Sequence, residues 1–155
     1  MERKEAYRIA VEAEIRSQNL YRALAKSFKH KETEEFFEQL LKYEENHEAK
    51  VRGLYAKEYP NEPLQLMDDL TMELQGVKLD DPKQVLEFAI SREELAQNIY
   101  LKLAEQSKDK DTEKLLLQFA GEEEQHKELL FAELEKLHGI LQWFDPSELN
   151  GMMEY

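Results

Sequence analysis

Glu44-Glu45-Asn46-His47 recurs as Glu123-Glu124-Gln125-His126, and the 79 positions between them (123 − 44, 126 − 47) also separate Glu14 from Glu93. Outward from there, Gln18-Asn19-Leu20-Tyr21 returns as Gln97-Asn98-Ile99-Tyr100, Leu24-Ala25 as Leu103-Ala104, and Thr33-Glu34 as Thr112-Glu113. The repeat runs without a gap from Ala10–Val51 to Ala89–Leu130. A duplicated unit holding two long amphipathic segments reads as a helical hairpin, and two copies make four helices related by an internal pseudo-twofold.

Periodicity supports this segment by segment. From about Arg3 to Lys29, apolar or small residues recur at Ala10, Ala13, Ser17, Tyr21, Leu24 and Phe28, which is helix spacing. Thr33, followed by two acids, is the expected N-cap of a second helix that passes through Phe36, Phe37, Leu40, Val51 and Leu54 before Pro60 stops it. Asp80 or Asp81 caps a third, with Pro82 in its first turn and Leu86, Ala89, Ile90, Tyr100, Leu103 and Ala104 on its inner face. A fourth runs from near Thr112, through Leu115, Leu116, Phe119, Leu130, Leu134 and Leu137, to Gly139, which is placed to take the left-handed conformation after it.

Within each hairpin the connection is short, so its helices are antiparallel neighbours. Residues 59–79 are long enough to cross the bundle, with an apolar stretch at Leu64, Leu66, Met67, Leu70, Met72 and Leu74 and room for a short helix. The expected fold is all-α: two antiparallel hairpins joined by one long crossover between helices two and three, the ferritin-like arrangement of a four-helix bundle. Residues 1–139 form that bundle. Residues 140–155, opening with Ile140-Leu141-Gln142-Trp143-Phe144, are too apolar to float free and are expected to pack on the bundle or at a dimer interface.

Composition narrows the function. A chain of 155 residues with 41% hydrophobic content suits one domain. A net charge of −13 argues against nucleic acid, which needs a basic face. Most of the acids are a solvated helical surface, and only inward-facing carboxylates need explaining. No run of about 18 apolar residues and no signal peptide is visible, so the expectation is a cytoplasmic protein with no membrane partner. With no Cys, thiolate metal sites, disulfides and a cysteine nucleophile are excluded, and a metal here must sit among oxygen and nitrogen ligands.

The inner stripe of the second helix passes from Leu40 to Val51 by way of Glu44 and His47, and that of the fourth from Phe119 to Leu130 by way of Glu123 and His126. Spacing of three puts Glu and His on adjacent turns of one face, where both can reach a single ion. Glu14 and Glu93 share the inward row of Tyr21 and Tyr100, seven residues on. Four such carboxylates buried together would repel and take up protons, whereas two divalent cations leave the centre formally neutral. A lone Glu-x-x-His is weak: Glu135 and His138 match it too, but Tyr59 stands 79 positions before His138, which reads as a helix-end residue, and His30 reads as a loop residue.

Glu45, Glu94 and Glu124 fall off the ligand face and read as surface or outer residues. Gln18 and Gln97 are placed either to hydrogen-bond the ligands of the first and third helices or to form a polar core pair. Tyr21 and Tyr100 are candidate donors to the ligand carboxylates. Gly121, mid-helix, is a candidate for a close approach near the site.

On Glu14, Glu44-x-x-His47, Glu93 and Glu123-x-x-His126 with the long crossover, residues 3–138 resemble the rubrerythrin family of ferritin-like diiron-carboxylate proteins. The resemblance implies two iron ions bridged by Glu44 and Glu123, with Glu14 and Glu93 terminal and one iron on each of His47 and His126. It implies an oxidoreductase that reduces hydrogen peroxide or O2 in oxidative-stress defence. Two departures accompany it. Without cysteines the chain has no rubredoxin-like iron site, so electrons come from a separate donor such as a rubredoxin-like protein. Ala96 stands where the family has an additional Glu tied to peroxide reduction, which separates that activity from the metal site itself. Ferroxidase or iron-storage function, and a structural site holding manganese or zinc, remain alternatives, because carboxylate and imidazole suit all three metals. A homodimer or larger homo-oligomer is expected.

Overall fold

A computed structural model describes residues 2–27, 31–67, 70 and 81–143, with Ser27 and residues 137–143 by backbone alone. The helices are α1 (Arg3–Ser27), α2 (Lys31–Glu58), α3 (Pro82–Glu105) and α4 (Lys110–Trp143), and no strand occurs among the described residues. α1 packs on α2 and α3 on α4 as two hairpins, and α1 also lies against α3, whereas α2 and α4 touch only sparsely. The bundle is therefore tight on three sides and loose along the fourth. No helix of the described residues is long and apolar enough to cross a membrane.

Asp81, of the two candidates, caps α3: its Oδ1 accepts from Lys83 N at 3.1 Å and Gln84 N at 3.4 Å, with Pro82 first in the helix. Three other boundaries differ from expectation. α2 begins at Lys31, so Thr33 lies inside the first turn between Glu32 and Glu34, whose charges favour the positive helix end. α4 begins at Lys110 because Asp109 takes the cap, its Oδ2 accepting from Thr112 N at 3.3 Å and Thr112 Oγ1 at 2.7 Å. At its other end α4 passes through Gly139 to Trp143, four residues into the expected tail. A helical Gly costs about 1 kcal/mol relative to Ala, too little to stop a helix once each further residue adds a hydrogen bond. Phe28 to His30 and residues 144–155 lie outside the described residues, as does the His138 side chain.

α2 ends at Glu58, two residues before Pro60, and Asn61 turns the chain at φ 70, a left-handed conformation that Asn tolerates better than most residues. The segment that follows runs along α1. Glu62 pairs with Lys4 at 3.2 Å, Leu64 and Leu66 pack on the core, and Met67 N donates to Glu12 Oε2 at 2.9 Å. Glu12 is a buried carboxylate with no counterpart in the second hairpin, where Ser91 occupies its position (12 + 79 = 91). Arg8 Nη1 reaches both of its oxygens at 3.1 Å. This charged anchor fixes the start of the crossover on α1; the rest, residues 68–69 and 71–80, lies outside the described residues.

One end of the bundle is tied by Arg3, whose Nε and Nη2 donate to Glu58 Oε2 and Oε1 at 2.6 and 2.7 Å. Arg3 Nη1 donates to the Leu103 carbonyl at 2.7 Å, and the Tyr7 hydroxyl donates to Glu58 Oε1 at 2.7 Å. A paired guanidinium and carboxylate of this kind links three helix ends at once.

The apolar core is in two pieces. One, with Val11, Val51, Leu54, Tyr55, Leu103, Leu116 and Phe119, fills that end. The other, with Leu20, Leu24, Phe37, Leu40, Leu86, Ile90 and Leu130, fills the far end. On every helix the break between them falls where a Glu or His replaces an apolar residue: Glu14, Glu44 with His47, Glu93, and Glu123 with His126. Truncating a fully buried member such as Leu103 to Ala should cost about 2–5 kcal/mol in chemical denaturation, while Leu101→Ala, two residues away and 43% exposed, should change stability by no more than about 0.5 kcal/mol.

Candidate metal centre

The polar layer assembles because each helix supplies one inward turn of it. Glu14 comes from α1, Glu44 and His47 from successive turns of α2, Glu93 from α3, and Glu123 and His126 from α4. All six side chains are buried. Their ligand atoms fall into two overlapping groups, Glu14, Glu44, His47 and Glu123 in one and Glu44, Glu93, Glu123 and His126 in the other, each group lying within 4.8 Å. Glu44 and Glu123 belong to both groups, and each of the others to one. Such buried carboxylate and imidazole groups could hold metal ions.

The pseudo-twofold of the sequence reappears in the distances. His47 Nδ1 lies 2.7 Å from Glu123 Oε1 and His126 Nδ1 lies 3.1 Å from Glu44 Oε1, so each imidazole meets the Glu-x-x-His carboxylate of the opposite hairpin. His47 Nδ1 is 3.6 Å from Glu14, and His126 Nδ1 is 3.6 Å from Glu93. The Tyr100 hydroxyl donates to Glu14 Oε1, and the Tyr21 hydroxyl to Glu93 Oε1, again crossing between hairpins. Both tyrosines are buried, so these bonds satisfy hydroxyls that have left water.

What the protein does not satisfy is as informative. Glu14 Oε2, Glu93 Oε2 and Glu123 Oε2 are buried with no hydrogen-bond partner. A buried carboxylate oxygen without a donor is costly. Three of them converging in one layer fit a cluster shaped to receive cations, and the all-oxygen-and-nitrogen donor set fits iron, manganese or zinc.

Without a cation the charge is managed by protons. Burial, and then the neighbouring Glu123, push the Glu14 carboxyl above its ordinary value, and burial with Glu123 and Glu14 pushes Glu44 well above it. Burial also disfavours ionised Glu123, but hydrogen bonds from His126 and His47 outweigh it and hold this carboxyl below its usual range. For His47, burial disfavours the imidazolium, yet Glu123 and Glu14 prevail and raise it to about 11. Burial, followed by the charge of the carboxylates, raises Tyr21 and Tyr100 well above 10.0, so both hydroxyls keep their protons and remain donors.

The remaining sequence candidates sort by contact. Gln18 does not hydrogen-bond a ligand carboxylate: its Nε2 donates to the Glu44 carbonyl at 3.3 Å and Glu48 Oε1 at 2.8 Å, bracing α2. Gln97 Oε1 accepts from Lys127 Nζ at 3.3 Å. Glu45 and Glu94 are exposed and Glu124 is partly so. A Cβ at Gly121 would meet nothing within 4 Å, so this glycine permits no close approach. Sequence reasoning missed Glu122, whose Oε2 is hydrogen-bonded to His47 Nε2 on the outer side of the ring. Its position aligns with Tyr43 and so carries no repeat signal.

A pH dependence follows for the metal-free protein. Glu14 and Glu44, raised above 4.5, contribute stability that is full below pH 4.5 and is lost as pH climbs through their raised values. His47, raised from 6.5 to about 11, contributes stability that is full below pH 6.5 and is lost on the way to 11. Glu123 and Glu58, lowered from 4.5, lose their contribution only as pH falls, so above pH 6.5 nothing they do offsets the loss. The Tm of chelator-treated protein should therefore drop steadily from pH 6.5 to about 10, and divalent metal should raise it most at the alkaline end, where binding has fewer protons to displace from the ligands. A flat or rising Tm without metal would contradict this account.

The rubrerythrin family model matches residues 84–151, a span that contains Glu93, Tyr100, Glu123 and His126. A solved structure, that of a hypothetical protein from Pyrococcus furiosus, aligns at a TM-score of 0.78 with 28% identity, over 90% of this chain and 92% of that one. No curated protein matches the chain. Residues 84–151 thus resemble the rubrerythrin family, and through the 79-residue repeat the Glu, Glu-x-x-His pattern of that span recurs in the first hairpin of this four-helix bundle.

Proposed function

We propose that the protein is a diiron-carboxylate oxidoreductase that reduces hydrogen peroxide or O2. The observation that carries this reading is the pair of overlapping ligand groups sharing Glu44 and Glu123, an arrangement that suits two adjacent ions. Glu14 with His47 would hold one ion, Glu93 with His126 the other, and Glu44 and Glu123 both. Two irons, when bound there, supply the electron pair that reduction of an O–O bond requires.

The chain's own residues prepare the site. Tyr100 and Tyr21 each occupy Oε1 of a terminal carboxylate, which leaves the orphaned Oε2 of Glu14 and Glu93 as the oxygen offered to metal. The two apolar clusters on either side keep the layer dry and strengthen every charge interaction within it. Solvent comes nearest along the loose α2–α4 face, where Tyr43 is 44% exposed and the Glu122 side chain 30% exposed. An oxidant as small as peroxide would enter there. Each peroxide reduced to water takes two electrons and two protons, and since the chain has no cysteine for a rubredoxin-like iron site, the electrons come from a separate donor.

Ala96 gives one observation in favour of a second reading. It is buried in the apolar cluster, so the third helix offers only a methyl group where the family has its additional carboxylate. Oxidation of iron for storage or handling needs no such group. Its signature would be a large hollow assembly with many irons per chain.

The test is metal content and visible spectrum before and after peroxide. Two irons per chain, with the reduced protein oxidised by peroxide or O2 and turning over with an electron donor, are expected. His126→Ala and Glu93→Ala should slow the oxidation by at least about 100-fold, the upper end of what losing even an outer partner of a metal ligand costs. A fully iron-loaded protein inert to both oxidants would rule the oxidoreductase out.

A further inference from the structure

The duplication breaks at the positions that face the outer sides of the two imidazoles. Tyr43 and Glu122 are 79 apart (122 − 43) and so are equivalent in the repeat. Each meets the histidine of the opposite hairpin, but with different chemistry. Glu122 Oε2 is hydrogen-bonded to His47 Nε2, while its Oε1 accepts from Gln118 Nε2 at 3.3 Å. The Tyr43 ring lies 5.1 Å from the His126 ring at 48°, an aromatic contact in place of a carboxylate.

Both imidazoles direct Nδ1 at the carboxylate layer, so Nδ1 is the nitrogen offered to metal and Nε2 the outer one. A neutral imidazole has one N–H, and Nδ1 can ligate only if that hydrogen is on Nε2. A carboxylate at Nε2 selects this tautomer, fixes the ring plane and makes the ligating nitrogen more basic. Glu122 does so for His47, held by a hydrogen bond of its own. The Tyr43 ring offers His126 no such acceptor.

We propose that Glu122 is a positioning residue that makes the two metal positions inequivalent: by orienting His47, it causes the Glu14–His47 position to bind its ion first and more tightly than the Glu93–His126 position. This rests on the dimetal reading above and specifies an order of loading within it.

Stepwise titration of chelator-stripped protein with Co2+, followed by calorimetry and by the visible spectrum of the bound ion, tests it. The wild type should load in two resolved steps. Glu122→Gln should weaken the tighter step by about 10- to 100-fold, shift the first-formed cobalt spectrum and leave the second step near its original affinity. Glu122→Asp should recover part of the loss. Tyr43→Glu, which places a carboxylate at the equivalent position, should tighten the weaker step and bring the two together. Both sites are partly exposed, and helicity by circular dichroism should remain that of the wild type.

A wild-type protein whose two steps have equal affinity, or a Glu122→Gln isotherm that superimposes on it, would overturn the inference while leaving two bound ions, and so the dimetal reading, in place. A Glu122→Gln stoichiometry of one ion would overturn it differently, making Glu122 a ligand in its own right. Wild-type protein that takes up no Co2+ would instead remove the dimetal reading and this inference with it.

Discussion

Carboxylates withdrawn from water into one shared layer dominate the energetics of this bundle. Each alone would be costly to bury ionised, and together they repel. Every other feature of the layer answers that cost. Two tyrosine hydroxyls cross between hairpins to donate to Glu14 and Glu93, the two imidazoles face Glu123 and Glu44, and the raised pKa values of Glu14, Glu44 and His47 favour protonation that lessens the negative charge of the layer. Three oxygens still lack a partner. An arrangement optimised for stability alone would replace these groups with apolar side chains, as happens a turn away in either direction. Stability is given up at one level of the bundle, and bound cations would recover it.

The architecture distributes that cost. Because the two apolar clusters lie on either side of the polar layer, the bundle is anchored at both ends independently of the site. The Arg3–Glu58 pair ties one end, and the Glu12 anchor holds the beginning of the crossover against α1. The sparse α2–α4 face is where packing is sacrificed, and it is also where the outer nitrogens of the imidazoles, Tyr43 and Glu122 are found.

Legibility in the sequence followed the repeat. Residues tied to their partners by the 79-residue offset could be placed on a common layer from spacing alone, and the structure brings Glu14, Glu44, His47, Glu93, Glu123 and His126 together with Tyr21 and Tyr100 behind them. Whatever breaks the repeat was hidden. Glu122 aligns with Tyr43 and Glu12 with Ser91, so neither could be told from the many surface acids of an acidic chain. Helix ends were less legible for a different reason: Thr33 and Gly139 were read by local preference, whereas a boundary is settled by which groups reach the free backbone N–H and C=O, as Asp109 does at the start of α4. The contacts of Gln18 depend on the register between α1 and α2, which periodicity along one helix does not report.

Duplication also explains why asymmetry in this site has a specific location. Two copies of a hairpin facing each other across a pseudo-twofold place equivalent Glu and His side chains on both sides of the layer, as the paired distances show, and would give two proposed metal positions the same primary donors. Substitution at a primary donor in one copy would remove a ligand and leave buried charge unbalanced. Substitution at the outer face of an imidazole changes only how that ring is held, and solvent is near enough to accommodate either a phenol or a carboxylate there. The cheapest route by which two inherited, equivalent positions can become chemically distinct therefore runs through the neighbours of His47 and His126 on the α2–α4 face, which is where Tyr43 and Glu122 differ.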